Sequence, residues 1–178
     1  MSGHNKWSKI KNKKAVTDAV KSKIFSKMVK LISTASKQVN GDISSPILRA
    51  TIDKAREYNM PADNIERAVK KGASSDAEAL EAITYEAYGP GGSALVIETL
   101  TTNRNKAAQE VKFILSQHGF SLAAQGSATW AFKREPATNN LEPTTTIKLS
   151  EDDGHKLEAL IEALEENDEV QEVYTNAI

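Results

Sequence analysis

The sequence has no cysteine. That excludes a disulfide framework, an iron–sulfur cluster and any thiolate metal site, and it suits a reducing compartment. Aromatic residues are few, at 6%. No apolar run approaches the roughly 20 residues that a membrane-spanning helix needs. Met1-Ser2-Gly3-His4-Asn5-Lys6-Trp7 carries no hydrophobic signal core, and no Asn-x-Ser/Thr sequon occurs. These absences point to a soluble intracellular, cytoplasmic protein with no membrane partner. Arginine is missing from the first 48 residues, and the first 37 contain one acid, Asp18.

What is there is a folded chain with an uneven charge. Its 178 residues are 39% hydrophobic, enough to bury the core of one ordinary domain or two small ones. The formal net charge of −1 conceals a division. Residues 1–71 hold 16 Lys and Arg against 6 Asp and Glu, whereas residues 72–178 hold 7 against 18. Ten of the lysines fall within residues 1–37. A solvated helical surface would intersperse acids at i,i+4; here they are almost absent, which favours a basic module for a polyanion joined to an acidic body.

Residues 1–15 alternate basic and small side chains without a clear period and read as a basic arm. Over 16–39, Val20, Ile24, Met28, Leu31 and Ala35 share one helical face, widened by Phe25 and Ile32, while Lys23, Lys27, Lys30 and Lys37 form a narrow stripe on another. Asn40-Gly41 stops this helix. Ser45-Pro46 opens a second, expected to bury Ile47, Leu48, Thr51, Ile52 and Ala55. A third begins near Pro61, buries Ile65, Ala68 and Val69, and closes on Lys70-Lys71 with Gly72 at the position after its end.

Beyond a linker at 73–76 the period changes. Residues 83–88 alternate as a strand, Gly89-Pro90-Gly91-Gly92 is a turn, and 94–100 is a more buried strand, giving a hairpin. Asn103 caps a helix burying Ala107, Ala108, Val111, Ile114 and Leu115. Residues 129–132 and 145–149 read as further strands on either side of a polar linker, 135–143. Asp152 or Asp153 caps a helix burying Leu157, Leu160, Ile161 and Leu164, and Val170, Val173 and Tyr174 end in a strand. The fold expected is α+β: a basic three-helix nucleic-acid-binding domain over 1–76, then an acidic α+β sandwich over 77–178, an antiparallel or mixed sheet with two helices.

Several of these stretches resemble the YebC/PmpR family. The matching residues are Gly3-His4-Asn5-Lys6-Trp7 with Ile10-Lys11 and Ile24-Phe25; Leu48-Arg49-Ala50, Asp53-Lys54-Ala55 and Asn59-Met60; and Ile65-Glu66-Arg67-Ala68 with Lys71-Gly72. They continue through Tyr85-Glu86, Tyr88-Gly89-Pro90-Gly91-Gly92, Thr102-Asn103-Arg104-Asn105, Gly126-Ser127 and 168–174. The resemblance implies a helical N-terminal domain followed by α+β material in a bacterial or organellar protein. It also implies a part in gene expression: family members are labelled DNA-binding transcriptional regulators, a mitochondrial relative is a translational activator, and others look like ribosome-associated factors that help synthesis of proline-rich stretches. No catalytic activity or cofactor comes with it. Typical members insert a third domain between the strand near Phe132 and that near Ile147. Here only the linker stands there, so the chain resembles a two-domain form, short by roughly 60 residues, about a small domain.

The candidate nucleic-acid-binding residues are His4, Lys6, Trp7, Lys9, Lys11, Lys13, Lys14, Lys23, Lys27 and Lys30. Lysine neutralises phosphate as a point charge and releases counterions. It reads base identity poorly, a task suited to Arg, Asn or Gln, so backbone and shape recognition of a folded RNA is expected. Trp7 could stack on a base, or it could anchor the arm to the helices. His4 could hydrogen-bond a phosphate or base; His4, His118 and His155 share no metal-ligand spacing. The Tyr88–Gly92 stretch lacks the Gly-Lys-Ser/Thr ending of a phosphate loop and reads as a turn. Asn103-Arg104-Asn105-Lys106 opens a helix where a phosphate could bind and reads first as an N-cap. Glu86, Glu98, Asp152 and Asp153 could be imagined as a metal–carboxylate set, but no spacing makes them converge. No catalytic constellation, cofactor or small-molecule substrate is expected. The readings are an RNA-binding translation factor on the ribosome, a DNA-binding transcriptional regulator, or a protein adaptor working through the acidic domain.

Overall fold

Apolar residues three and four apart build the first helix of the computed structural model, which describes residues 18–178. Helix α1, Asp18–Gln38, buries Ile24, Met28, Ile32 and Ala35. It ends where Asn40 and Gly41 take positive φ, with the Gly41 N–H donating to the Ser36 carbonyl at 2.9 Å. Helix α2, Pro46–Glu57, starts after extended Ser45, and helix α3, Ala62–Ala73, after Pro61. Leu48, Ile52, Ala55, Met60, Ile65 and Ala68 complete the helical core. The chain divides into two units after residue 80.

Two details of this unit, at Gly72 and Ile47, differ from the sequence reading. Gly72 lies inside α3, where a Cβ would meet the Ser33 carbonyl oxygen at 2.3 Å. Its missing side chain lets α1 and α3 approach closely, and Ser33 and Ser36 donate to the Ala68 and Val69 carbonyls at 3.1 and 2.7 Å. Ile47, expected inside, is 56% exposed. On a helix of about 100° per residue it stands roughly 80° outside the arc carried by Leu48, Ile52 and Ala55. Met60 is buried although it belongs to the chain break between helices.

In the second unit, strands β1 (Glu81–Tyr88), β2 (Ala94–Thr101) and β5 (Val170–Thr175) form an antiparallel sheet in the order β1-β2-β5. Tyr85 stands opposite Ile97, and Ile97 opposite Val173. Helices α4 (Arg104–Gln117) and α5 (Glu151–Glu166) contribute Val111, Leu115, Leu157, Leu160 and Leu164 to one core with Leu95, Ile97 and Val173. Each such side chain stabilises by about 1.5–3 kcal/mol. A smaller cluster holds Ala94, Val96, Ala128, Ala131, Phe132 and Tyr174. By strand alternation, Val96 and Tyr174 occupy the sheet face opposite Leu95, Ile97 and Val173. The result is the expected α+β architecture.

The local differences cluster at the second layer. Thr129–Ala131 is a 3₁₀ turn, not a strand, and the strand β3 is Phe132–Arg134. Its partner β4, Leu141–Pro143, lies inside the stretch expected to be a linker, with Leu141 packed on the smaller cluster. Residues 145–149 form no strand; Ile147 makes an isolated parallel bridge with Ala177. Ser150, not Asp152 or Asp153, caps α5: its oxygen accepts the Asp153 N–H at 3.1 Å while its hydroxyl donates to the Asp153 carboxylate at 2.9 Å. Asn103 caps α4 as read, accepting the Lys106 N–H at 3.1 Å. Among the described residues, no helix is long and apolar enough to cross a membrane.

Candidate nucleic-acid interface

Helix α1 carries the candidate cations that the structure describes. Lys23 and Lys30 are half-buried beside its apolar face, whereas Lys27 is only 3% exposed. The lysine stripe is therefore not an open row: its middle member is buried, three residues after Ile24 and next to Met28 in the chain. Lys37 is exposed and donates to the Ala77 carbonyl at 2.9 Å. His4, Lys6, Trp7, Lys9, Lys11, Lys13 and Lys14 lie outside the described residues.

The other helices add exposed cations that the sequence reading left out of the site. Arg49, Arg56, Arg67, Lys70 and Lys71 stand on the outer faces of α2 and α3. Arg56 pairs with Asp53 at 3.0 Å and Lys70 with Glu66 at 2.7 Å, with side chains mostly in solvent. Exposed pairs of this kind are worth about 0–1 kcal/mol, so phosphate can compete for the cations. Residues 18–80 hold 11 basic against 8 acidic residues, and residues 81–178 hold 7 against 16. The charge division follows the division of the fold.

In the second unit the imagined metal carboxylates have other employment. Glu86 is 4% exposed. Its Oε1 accepts the Gly126 N–H at 2.6 Å, and its Oε2 accepts those of Ala128 and Thr129 at 2.7 and 2.9 Å. Burial pushes its carboxyl up, but these backbone donors outweigh burial and hold it below the usual carboxylate range. Glu98 pairs with Arg134 at 2.7 Å, Asp152 hydrogen-bonds Lys156, and Asp153 belongs to the α5 cap. No group of three or more His, Cys, Asp or Glu among the described residues is placed to hold a metal ion. At the start of α4, Arg104 pairs with Glu81 at 2.7 Å and Lys106 with Glu169 at 3.4 Å. Gly91 and Gly92 both take positive φ in the turn after β1, as that tight connection requires.

The role of Glu86 was missed because an acid in an alternating strand reads as a solvent-facing residue. Trp130 was missed as well: expected within a strand, it stands 59% exposed.

Comparison with known proteins places the chain. The model of the TACO1/YebC protein N-terminal domain matches residues 5–75. That of the TACO1/YebC second and third domain matches residues 80–138 and 135–177. A protein of Fervidobacterium nodosum named "Probable transcriptional regulatory protein" is 38% identical over 235 residues, covering 99% of this chain and 93% of the relative. A protein of Chlorobium luteolum with the same name is 38% identical over 237 residues, covering 99% and 95%. In the crystal structure of a conserved hypothetical protein from Aquifex aeolicus, the TM-score is 0.84 at 29% identity, covering 97% of this chain and 96% of that one. An alignment 235 positions long against 178 residues leaves at least 57 positions of the Fervidobacterium relative without a counterpart. The two matched segments of the second model meet at 135–138, within the turn between β3 and β4. The chain belongs to the TACO1/YebC family.

Proposed function

We propose that the protein is a non-enzymatic, nucleic-acid-binding regulator of gene expression that contacts phosphate through its N-terminal half and acts as a ribosome- or RNA-associated translation factor in the cytoplasm or an organellar matrix. One observation carries this reading: the basic excess of residues 1–71 against the acidic excess of residues 72–178. A polyanion is attracted to the first and repelled by the second, which orients the encounter. Lys6, Lys9, Lys11, Lys13, Lys14, Lys23 and Lys30 supply point charges, with Lys27 at the buried edge of the same stripe. The lack of arginine before Arg49 favours backbone and shape over a defined operator.

The second reading is a DNA-binding transcriptional regulator using the same surface. Its support is the name carried by the Fervidobacterium and Chlorobium relatives.

Crosslinking in cells, followed by sequencing of the bound nucleic acid, tests both. Enrichment of ribosomal RNA is the expected result; enrichment of promoter DNA transfers the assignment to the second reading. In vitro, Lys23→Glu with Lys30→Glu should weaken RNA binding and make its salt dependence shallower, by up to about one phosphate contact per lysine removed. Unchanged affinity and slope would remove α1 from the contact surface.

A further inference from the structure

The second unit builds a rigid mount for an exposed tryptophan. The Trp130 indole N–H donates to the Tyr88 hydroxyl at 3.0 Å, and that hydroxyl donates to the Ser127 carbonyl. The backbone beneath is held by the three N–H bonds to Glu86, and by the Ala123 N–H, which donates to the Glu86 carbonyl at 2.8 Å. Ala128 and Ala131, two residues before and one after Trp130 in the chain, are fully buried. A buried carboxylate, a tyrosine hydroxyl and two core alanines thus fix the position of a large aromatic surface that is left in water. Burying that ring elsewhere would stabilise the fold; holding it rigid and exposed reduces the entropy cost of binding something.

Charge indicates what it binds. Residues 81–178 carry 16 acids against 7 bases, so the unit's field attracts cations and repels phosphate. The two cations that follow the ring each stand beside an acid, so these four groups carry no net charge. Lys133 pairs with Glu142 at 3.7 Å and Arg134 with Glu98 at 2.7 Å. Trp and Tyr faces bind ammonium and guanidinium groups by cation–π attraction, with indole the stronger.

We infer that the exposed Trp130–Tyr88 pair is the docking site for a Lys/Arg-rich segment of a partner protein. The aromatic faces take one cationic side chain, and the net negative charge of residues 81–178 as a whole draws a basic segment toward the unit. This goes beyond the nucleic-acid reading and does not depend on it. A regulator so built holds polyanion with one half and a basic protein with the other.

The test uses the full chain with Trp7→Phe, which leaves Trp130 as the sole tryptophan, and follows its fluorescence. A short synthetic Lys/Arg-rich peptide should change the emission saturably, with an affinity that falls as salt rises. Trp130→Leu, read by calorimetry, should weaken the peptide by about fivefold or more. Tyr88→Phe, which keeps a ring but releases the indole N–H, should weaken it less. Circular dichroism confirms that the variants fold, since both replaced groups are exposed. A Glu-rich peptide should leave the emission unchanged, and single-stranded RNA, titrated into the chain that retains Trp7, should bind with the same affinity before and after Trp130→Leu. The inference is overturned if the basic peptide does not bind, if Trp130→Leu leaves its affinity unchanged, or if RNA loses affinity on that replacement. The first two results leave the nucleic-acid reading standing, and loss of RNA binding on Lys23→Glu/Lys30→Glu is read separately.

Discussion

Replacing Glu86 with glutamine should unfold the second unit at markedly lower urea. The carboxylate accepts three backbone N–H groups, one on Oε1 and two on Oε2. In its best orientation the amide keeps its oxygen on the Ala128 and Thr129 donors and turns its NH₂ toward the Gly126 N–H. A stranded donor costs about 1–3 kcal/mol, and a hydrogen bond to a neutral acceptor is worth about 1 kcal/mol less than one to a charged acceptor. Two weakened bonds and one lost bond sum to about 3–5 kcal/mol; cheaper burial of the neutral amide brings the net loss to about 2–4 kcal/mol. With a urea slope of about 1–3 kcal/mol per molar, the midpoint should fall by roughly 0.7–4 M. Trp130 emission in the Trp7→Phe background reports this unit directly. Acid provides the second arm. The native carboxyl lies below its ordinary range, so its stabilisation is fully present above that range and disappears as pH falls through the lowered native value. The gap between parent and Glu86→Gln should therefore close in acid. A midpoint within experimental error of the parent at neutral pH would refute the assignment of Glu86 as a backbone clamp.

Gly72→Ala should destabilise the helical unit by about 1–3 kcal/mol, measured by circular dichroism during urea unfolding. Alanine gains up to about 1 kcal/mol in helix propensity, but its Cβ collides with the Ser33 carbonyl; a stabilised variant would mean that α1 and α3 separate without cost. Asn103→Ala and Ser150→Ala should each cost about 1 kcal/mol in thermal unfolding through loss of an N-cap, and no change in either would show the cap bond is replaced by water. Ile47→Ser should be nearly silent in the same assay, because the side chain stands in solvent; a loss near that of a core truncation would return Ile47 to the interior.

Much of the architecture was legible because helix and strand periods survive wherever one face meets one core. Val111 and Leu115 on α4, and Leu157, Leu160 and Leu164 on α5, repeat at helical spacing and are buried as read. The Asn103 cap is local chemistry, visible in four residues. What escaped depends on partners distant in the chain. Leu141 becomes strand because Phe132 and Tyr174 give it a cluster to join; alone, its neighbours read as linker. Gly72 looked terminal because glycine commonly closes a helix, whereas here it serves a crossing with Ser33, far back in the sequence. For the site, the sequence reported total charge faithfully but not placement. Helical phase puts Lys27 on a basic stripe, but phase alone does not reveal that it is buried along with Ile24 and Met28.

The turn between β3 and β4 has a further consequence. Arg134 and Leu141 are paired across the hairpin, the Glu135 N–H donates to the Asn140 carbonyl at 2.8 Å, and the Arg134 guanidinium reaches the Asn139 carbonyl at 2.6 Å. Two chain ends that leave a hairpin side by side make a modular port: a folded cassette whose own termini are adjacent can be plugged in there or removed while the strands beneath keep their register. Lineages could trade such a cassette repeatedly at little thermodynamic penalty, and a protein engineer could use the same position to graft a reporter.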